Sequence, residues 1–320
     1  MGTEEGALVT DYGIDHLIQS GLVRGEVRCG EPLSAHTSLK IGGPAEVMVF
    51  PEDPLSVRHI LHAAEQENTS LFILGLGTNL VVSDDGIKGI TMSLKAFSKI
   101  ELTRGTDNEN ALLYVGSGVP LPRVVNFAKK NGYSGIEALA GIPGSFGGAV
   151  YMNAGSFGTE IKDVIDSVAL MNRQGELKIL KKDELAFEYR NSNLPEDSII
   201  LSANIVLKKG DTDEVAKNTD AFMQRKKTSQ PLGAHSAGCV FKNPEGEAAG
   251  SLIDKAGCKG MKIKDVEVST LHANYFINSG NADFRDFIEL MNIVIAKVKE
   301  TKGITLEKEI RIIGENLNEN

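Results

Sequence analysis

The segment Ala140–Gly158, AGIPGSFGGAVYMNAGSFG, holds six glycines, at 141, 144, 147, 148, 155 and 158, and no charged side chain. Glycine reaches positive-φ conformations and lets a ligand approach the main chain where no Cβ stands. Successive free N–H groups in such turns form a concavity that binds an anion. The chemistry indicated is retention of a phosphate-bearing cofactor. Glycine content alone leaves a tightly turned structural loop beneath a sheet as an equal alternative. A second turn of this kind, GLGTNL at 75–80, follows the apolar run SLFIL, which reads as a buried strand.

The chain that carries these turns has 320 residues, enough for two or three domains. Hydrophobic residues make up 41% and charged residues 24%, a globular composition with ample material for a core. The net charge of -9 argues against a nucleic-acid binder that relies on bulk charge, but not against a local site for a small anion. The three cysteines, Cys29, Cys239 and Cys258, are widely spaced without a CxxC pair. That fits a reducing compartment and offers no metal-ligand spacing. No apolar run approaches the ~18 residues of a membrane span. The acidic start MGTEEGALVTDYG lacks a signal pattern, and Gly2 stands in no persuasive acylation context. A cytoplasmic location is expected.

The elements that must position the turns follow from period and punctuation. Residues 8–30 read as a helix and a short polar turn, a packing appendage covering 1–32. A strand is expected over Ala45–Phe50, closed by Pro51. Asp53 and Pro54 then open a helix running to Gln66. Another strand follows at SDDGIKGITMSL, which gives a small α+β unit over 33–98. Two strands flank a polar loop at Thr103–Asn110. Pro122 opens a helix that Gly132 caps. A hairpin turns at Gln174-Gly175. A short helix and exposed loop, a strand at SIILSANIVLKKG and a long polar helix over 213–230 complete a second α+β unit, 99–227. A third domain, 228–303, has helices at 248–256 and 282–300 and strands near 265–267 and 275–278. The tail Thr305–Gly314 alternates as a strand, which puts Glu307, Glu309 and Arg311 on one face.

Six ordered segments carry a resemblance: TSLKIGGPAE, LGLGTNLVVSDDGIKGI, GIEALAGIPGSFGGAVYMNAG, AFEYRNS, AGCVFKNP and LEKEIRIIG. Together they resemble the UDP-N-acetylenolpyruvoylglucosamine reductases over about residues 33–314. The resemblance implies an FAD-binding fold of the vanillyl-alcohol-oxidase type, two α+β subdomains holding FAD non-covalently, with a third domain closing over the substrate. It implies reduction of FAD by NADPH, then hydride delivery to the vinyl ether of UDP-GlcNAc-enolpyruvate. Gly75, Gly77, Thr78, Asn79 and Leu80 become one wall of the FAD site. Gly141, Ile142, Pro143, Gly144, Ser145 and Gly148 become the other. Neither wall has a basic side chain, so main-chain donors must hold the pyrophosphate. The family's catalytic positions map to Arg190, Cys239 and Glu309, with Arg311 near flavin or glutamate. Arg225, Lys226, Asn243 and His272 map near the substrate.

Most members have serine where this chain has Cys239. A thiol, with an ordinary pKa of about 8.5, is intrinsically the better acid. Arg190 and Lys242 nearby are expected to draw that pKa down, toward an oxidisable thiolate. Only 49 positions separate Arg190 from Cys239, so the chain resembles the shorter members, which lack a tyrosine-bearing flap. A monomer is expected. An FAD oxidase of the same fold is the alternative, but His36 and His59 are not placed for covalent flavin attachment. A non-catalytic flavin module would have no need of competent groups at 190, 239 and 309.

Overall fold

The computed structural model describes residues 21–103, 107–195 and 197–314. Most of the helix expected from residue 8, part of the loop expected at 103–110 and the tail beyond 314 lie outside the described residues.

The first unit contains strands β1 (Gly25–Pro32), β2 (Pro44–Pro51), β3 (Leu71–Leu74), β4 (Leu80–Val82) and β5 (Ile87–Ser93). Four of them form a sheet in the order β1-β2-β5-β3. The first strand corrects the sequence reading. Residues 25–32 pair antiparallel with β2, from Gly25 opposite Pro51 to Pro32 opposite Pro44, and are not an appendage. The Pro54–Gln66 helix is as expected. The Asp53 side chain accepts the Ser56 N–H at 2.8 Å. Val57, Ile60, Leu61 and Ala64 are buried at the i, i+3, i+4, i+7 spacing of one helix face.

The second unit is an antiparallel sheet built on the 11-residue strand β13. Its strands are β6 (Ile100–Leu102), β7 (Asn110–Gly116), β8 (Tyr133–Ser134), β11 (Ile165–Met171), β12 (Leu177–Lys181) and β13 (Ile199–Lys209), in the order β12-β11-β13-β7-β6 with β8 on β13. A two-strand hairpin, β9 (Gly155–Ser156) and β10 (Thr159–Glu160), projects beside it. Helices Leu121–Lys130, Phe146–Tyr151 and Thr212–Ser229 complete the unit. The expected hairpin at Gln174-Gly175 joins β11 to β12.

The third unit carries helices Ala249–Lys255 and Phe284–Lys302 and the small sheet β14 (Lys262–Ile263), β15 (Val266–Val268) and β16 (Phe276–Asn278). Phe241, Phe276, Phe284 and Phe287 centre its core, which extends to Leu39, Ile41 and Val81 of the first unit. Polar ties reinforce that junction. The Phe284 N–H donates to Asp84 at 3.0 Å, and the Asn278 amide donates to the Leu39 carbonyl at 2.9 Å.

The tail returns across this junction, but only Arg311–Ile313 is regular strand (β17), parallel to β4. Before it, the N–H groups of Glu309 and Ile310 share one acceptor, the Val240 carbonyl, at 2.8 and 3.2 Å. That shared acceptor breaks the alternation. Glu307 and Glu309 therefore do not face the same way. Glu307 is exposed and pairs with Lys242, while Glu309 turns into the cleft between the units.

Candidate active site

A cleft of about 500 Å3 runs between the units. Its two long walls are the glycine turns. Gly75, Gly77, Thr78, Asn79 and Leu80 line one side, and Gly141, Ile142, Pro143, Gly144, Ser145 and Gly148 line the other. The turns abut. Thr78 Oγ1 donates to the Pro143 carbonyl at 3.3 Å. A Cβ on Gly75 would lie 2.6 Å from Ser145 Oγ, and one on Gly144 would lie 3.0 Å from Thr78 Oγ1. Gly77, at φ +61°, sits against the His36 carbonyl, which a Cβ would overlap. So contact between the walls presses on Gly75 and Gly144, and positive φ favours glycine at both Gly77 and Gly144, the latter at φ +131°. Ser145 caps the Phe146–Tyr151 helix by accepting the Gly148 N–H at 3.2 Å. Among the described residues, no acceptor is hydrogen-bonded to the main-chain N–H groups of Gly77, Thr78, Gly141 or Gly144. These walls suit an anionic, phosphate-bearing cofactor held by backbone donors.

At one end of the cleft three side chains from distant parts of the chain meet. Arg190 comes from the tip of a tight turn in which the Glu188 and Asn191 main chains bond each other at 2.8 and 3.3 Å. It sits at φ +59°, a conformation few non-glycine residues adopt. Asn153, fully buried, supports the turn. Its amide donates to the Glu188 carbonyl at 2.9 Å and to Glu160 at 3.0 Å. Arg190 Nε donates to Glu309 Oε1 at 2.6 Å. Among the described residues its terminal nitrogens have no carboxylate partner. Burial works against the Arg190 charge, but the Glu309 carboxylate more than offsets it and raises the pKa. Burial pushes the Glu309 carboxyl up, while Arg190 and then Lys242 oppose.

Cys239 completes the group. The sequence expectation of a depressed thiol pKa is reversed. Burial pushes the Cys239 thiol up, the Glu309 carboxylate adds to this, and Arg190, Tyr275 and Asn274 oppose it, leaving it at about 12. The cation that was to help lower it, Lys242, is instead paired with Glu307. The thiol is thus held protonated.

The basic pair on the Thr212–Ser229 helix separates cleanly. Lys226 is 2% exposed and lines the cleft, whereas Arg225 is exposed and stacks over Phe157 at 4.3 Å. Burial lowers the Lys226 pKa to about 8, with Cys239 opposing. Helical phase carried this signal, since Val215, Thr219 and Lys226 share the buried face. Asn243 and His272 do not line the cleft. Asn243 accepts the Ala249 N–H at 3.0 Å, fixing the start of the Ala249–Lys255 helix. His272 packs edge-on against Tyr275. Arg311 lines the cleft with its guanidinium over the Tyr151 ring at 5.3 Å. Sequence reasoning did not single out Tyr275, which lines the cleft beside Cys239, or Asn153.

Comparison with known proteins decides the family. Residues 230–313 match the family described as UDP-N-acetylenolpyruvoylglucosamine reductase, C-terminal domain, and residues 45–181 match an FAD binding domain. A UDP-N-acetylenolpyruvoylglucosamine reductase of Syntrophus aciditrophicus is 36% identical over 96% of this chain and 97% of its own. One of Caldanaerobacter subterraneus is 39% identical over 92% of this chain and 96% of its own. The chain belongs to the UDP-N-acetylenolpyruvoylglucosamine reductase family. The crystal structure of the Thermus caldophilus enzyme superposes with a TM-score of 0.78 at 32% identity, covering 91% of this chain and 100% of that one. The architecture expected from the sequence is therefore present, an FAD-binding fold of the vanillyl-alcohol-oxidase type joined to the family's C-terminal domain. Among the described residues no helix is long and apolar enough to cross a membrane.

Proposed function

We propose that the chain is an FAD-dependent UDP-N-acetylmuramate dehydrogenase of peptidoglycan precursor synthesis. It would use NADPH to reduce the enolpyruvyl group of UDP-GlcNAc-enolpyruvate, as a cytoplasmic monomer. The observation that carries this reading is the meeting of Arg190, Glu309 and Cys239 at one end of a cleft walled by two glycine turns. The two turns would hold FAD, which would supply the hydride when bound.

The residues divide the remaining work. Hydride addition to the vinyl ether sends negative charge toward the substrate carboxylate. The terminal N–H groups of Arg190 bind that carboxylate and stabilise the enolate-like state. Glu309 holds Arg190 from behind through its 2.6 Å bond. The Cys239 thiol donates its proton to the adjacent carbon. Its burial suits the task, because an acid must carry its proton at working pH. Lys226 provides the buried cation for the substrate diphosphate. Between Arg190 and Cys239 the described chain holds β13 and the Thr212–Ser229 helix, with no inserted flap domain. This supports the shorter subclass.

The test is an anaerobic two-step mixing experiment. NADPH should bleach the flavin's visible absorbance, and UDP-GlcNAc-enolpyruvate should then restore it with formation of UDP-N-acetylmuramate. Bleaching without recovery by this substrate would assign the enzyme another acceptor.

A further inference from the structure

Tyr275 lies across an antiparallel bridge from Cys239, and both line the cleft. The bridge is firmly set. The Val240 N–H donates to the Asn274 carbonyl at 2.9 Å. The buried Asn274 side chain takes the Phe241 N–H at 3.0 Å and donates to the Phe241 carbonyl at 2.7 Å. Opposed residues on such a pair have their Cβ atoms about 4.5–5.5 Å apart, within side-chain reach. The pairing brings both side chains to the same cleft. On its other side the Tyr275 ring is fixed by His272, edge-on at 4.8 Å and 68°.

Proton donation by Cys239 breaks the S–H bond and forms a C–H bond on the substrate, and the electron pair stays on sulfur. The resulting thiolate lies in a partly desolvated cleft beside the Glu309 carboxylate. Such an anion is costly unless donors face it. The charged groups around it are Arg190 from the turn, Glu309 from the tail and Lys226 from the Thr212–Ser229 helix. Arg190 is already shared with Glu309 and, in the proposed reaction, with the substrate carboxylate. We infer that Tyr275 is a hydrogen-bond donor of this site, whose hydroxyl turns to the Cys239 sulfur and stabilises the thiolate left by proton transfer. This rests on the reading of Cys239 as the acid. A proton from water restores the thiol after product leaves.

The test uses holoenzyme carrying Tyr275→Phe, with Cys239→Ala and the double variant as partners. NADPH should bleach the flavin of Tyr275→Phe at the wild-type rate, which also reports a folded, loaded protein. Recovery with UDP-GlcNAc-enolpyruvate should slow about ten- to hundredfold, the worth of a hydrogen bond to a charged group. The pH at which the Cys239 thiol begins to react with iodoacetamide should move upward. In the Cys239→Ala background, Tyr275→Phe should add nothing. Wild-type recovery in Tyr275→Phe while Cys239→Ala is crippled would overturn the inference and leave the acid in place. Wild-type recovery in Cys239→Ala would remove the reading of the acid and the inference with it.

Discussion

Chemistry at the residue scale turns on how burial sorts the charges of one cleft. Lys226 is the sharpest case. Its pKa, lowered to about 8, means the cation is lost as pH rises through that value. Ligand binding that depends on the cation should therefore weaken there, and KM for the UDP substrate should climb above pH ~8. Lys226→Met should raise KM at pH 7 and flatten this dependence, and a wild-type KM unchanged across that range would contradict the assignment. Stability moves the other way. An unfolded lysine stays charged to about 10.4. Between about 8 and 10.4 the folded state sheds a proton that the unfolded state keeps, so this residue's burial penalty is relieved as pH rises. For Cys239 the sign is opposite. Its folded pKa is raised to about 12, above the ordinary thiol value, so its contribution to stability falls as pH rises past about 8.5. At pH 8 the thiol should alkylate far more slowly than Cys29, which is exposed. Comparable rates, read by mass spectrometry of the two peptides, would show an accessible thiolate.

Among elements, the turn carrying Arg190 is held at φ +59° by a buried neighbour from the second glycine segment. Asn153→Ala should leave flavin reduction intact and raise KM for the substrate about tenfold, the cost of a charged contact set slightly out of place. In an Arg190→Ala background the same change should have no further effect, which a purely structural loss would not reproduce. Gly77→Ala should give protein largely without flavin, because positive φ and the His36 carbonyl both oppose a Cβ. Retention of wild-type yellow colour after purification would contradict it. The elements also show what was legible in the sequence. The Pro54–Gln66 helix could be read because its cap, its proline and its apolar stripe agree. Strand β1 could not. GEVRCGEP has no buried face of its own, and partnership with β2 alone makes it a strand. Tyr275 was hidden for a related reason, since nothing near it in sequence announces the bridge to Cys239, 36 positions away.

Over the whole molecule, the site exists only where three units and the tail meet. Arg190 hangs from the second unit, Cys239 leads into the third, and Glu309 arrives with a tail whose strand β17 pairs with β4 of the first. The glycine turns were legible as a pair of anion-binding walls, and the resemblance named the cofactor. Their contact with each other was not legible, nor was the break in the tail that separates Glu307 from Glu309. Both depend on which backbone atoms the packed units bring together. The central claim is that one thiol, kept protonated by this assembly, serves the second half of the reaction and not the first. The most direct measurement is stopped-flow absorbance of Cys239→Ala under anaerobic conditions. NADPH should reduce its flavin at close to the wild-type rate, and UDP-GlcNAc-enolpyruvate should restore the absorbance at least about 100-fold more slowly, as loss of a general acid requires. Cys239→Ser should recover substantially. Wild-type recovery in Cys239→Ala, or loss of both half-reactions together, would contradict the account.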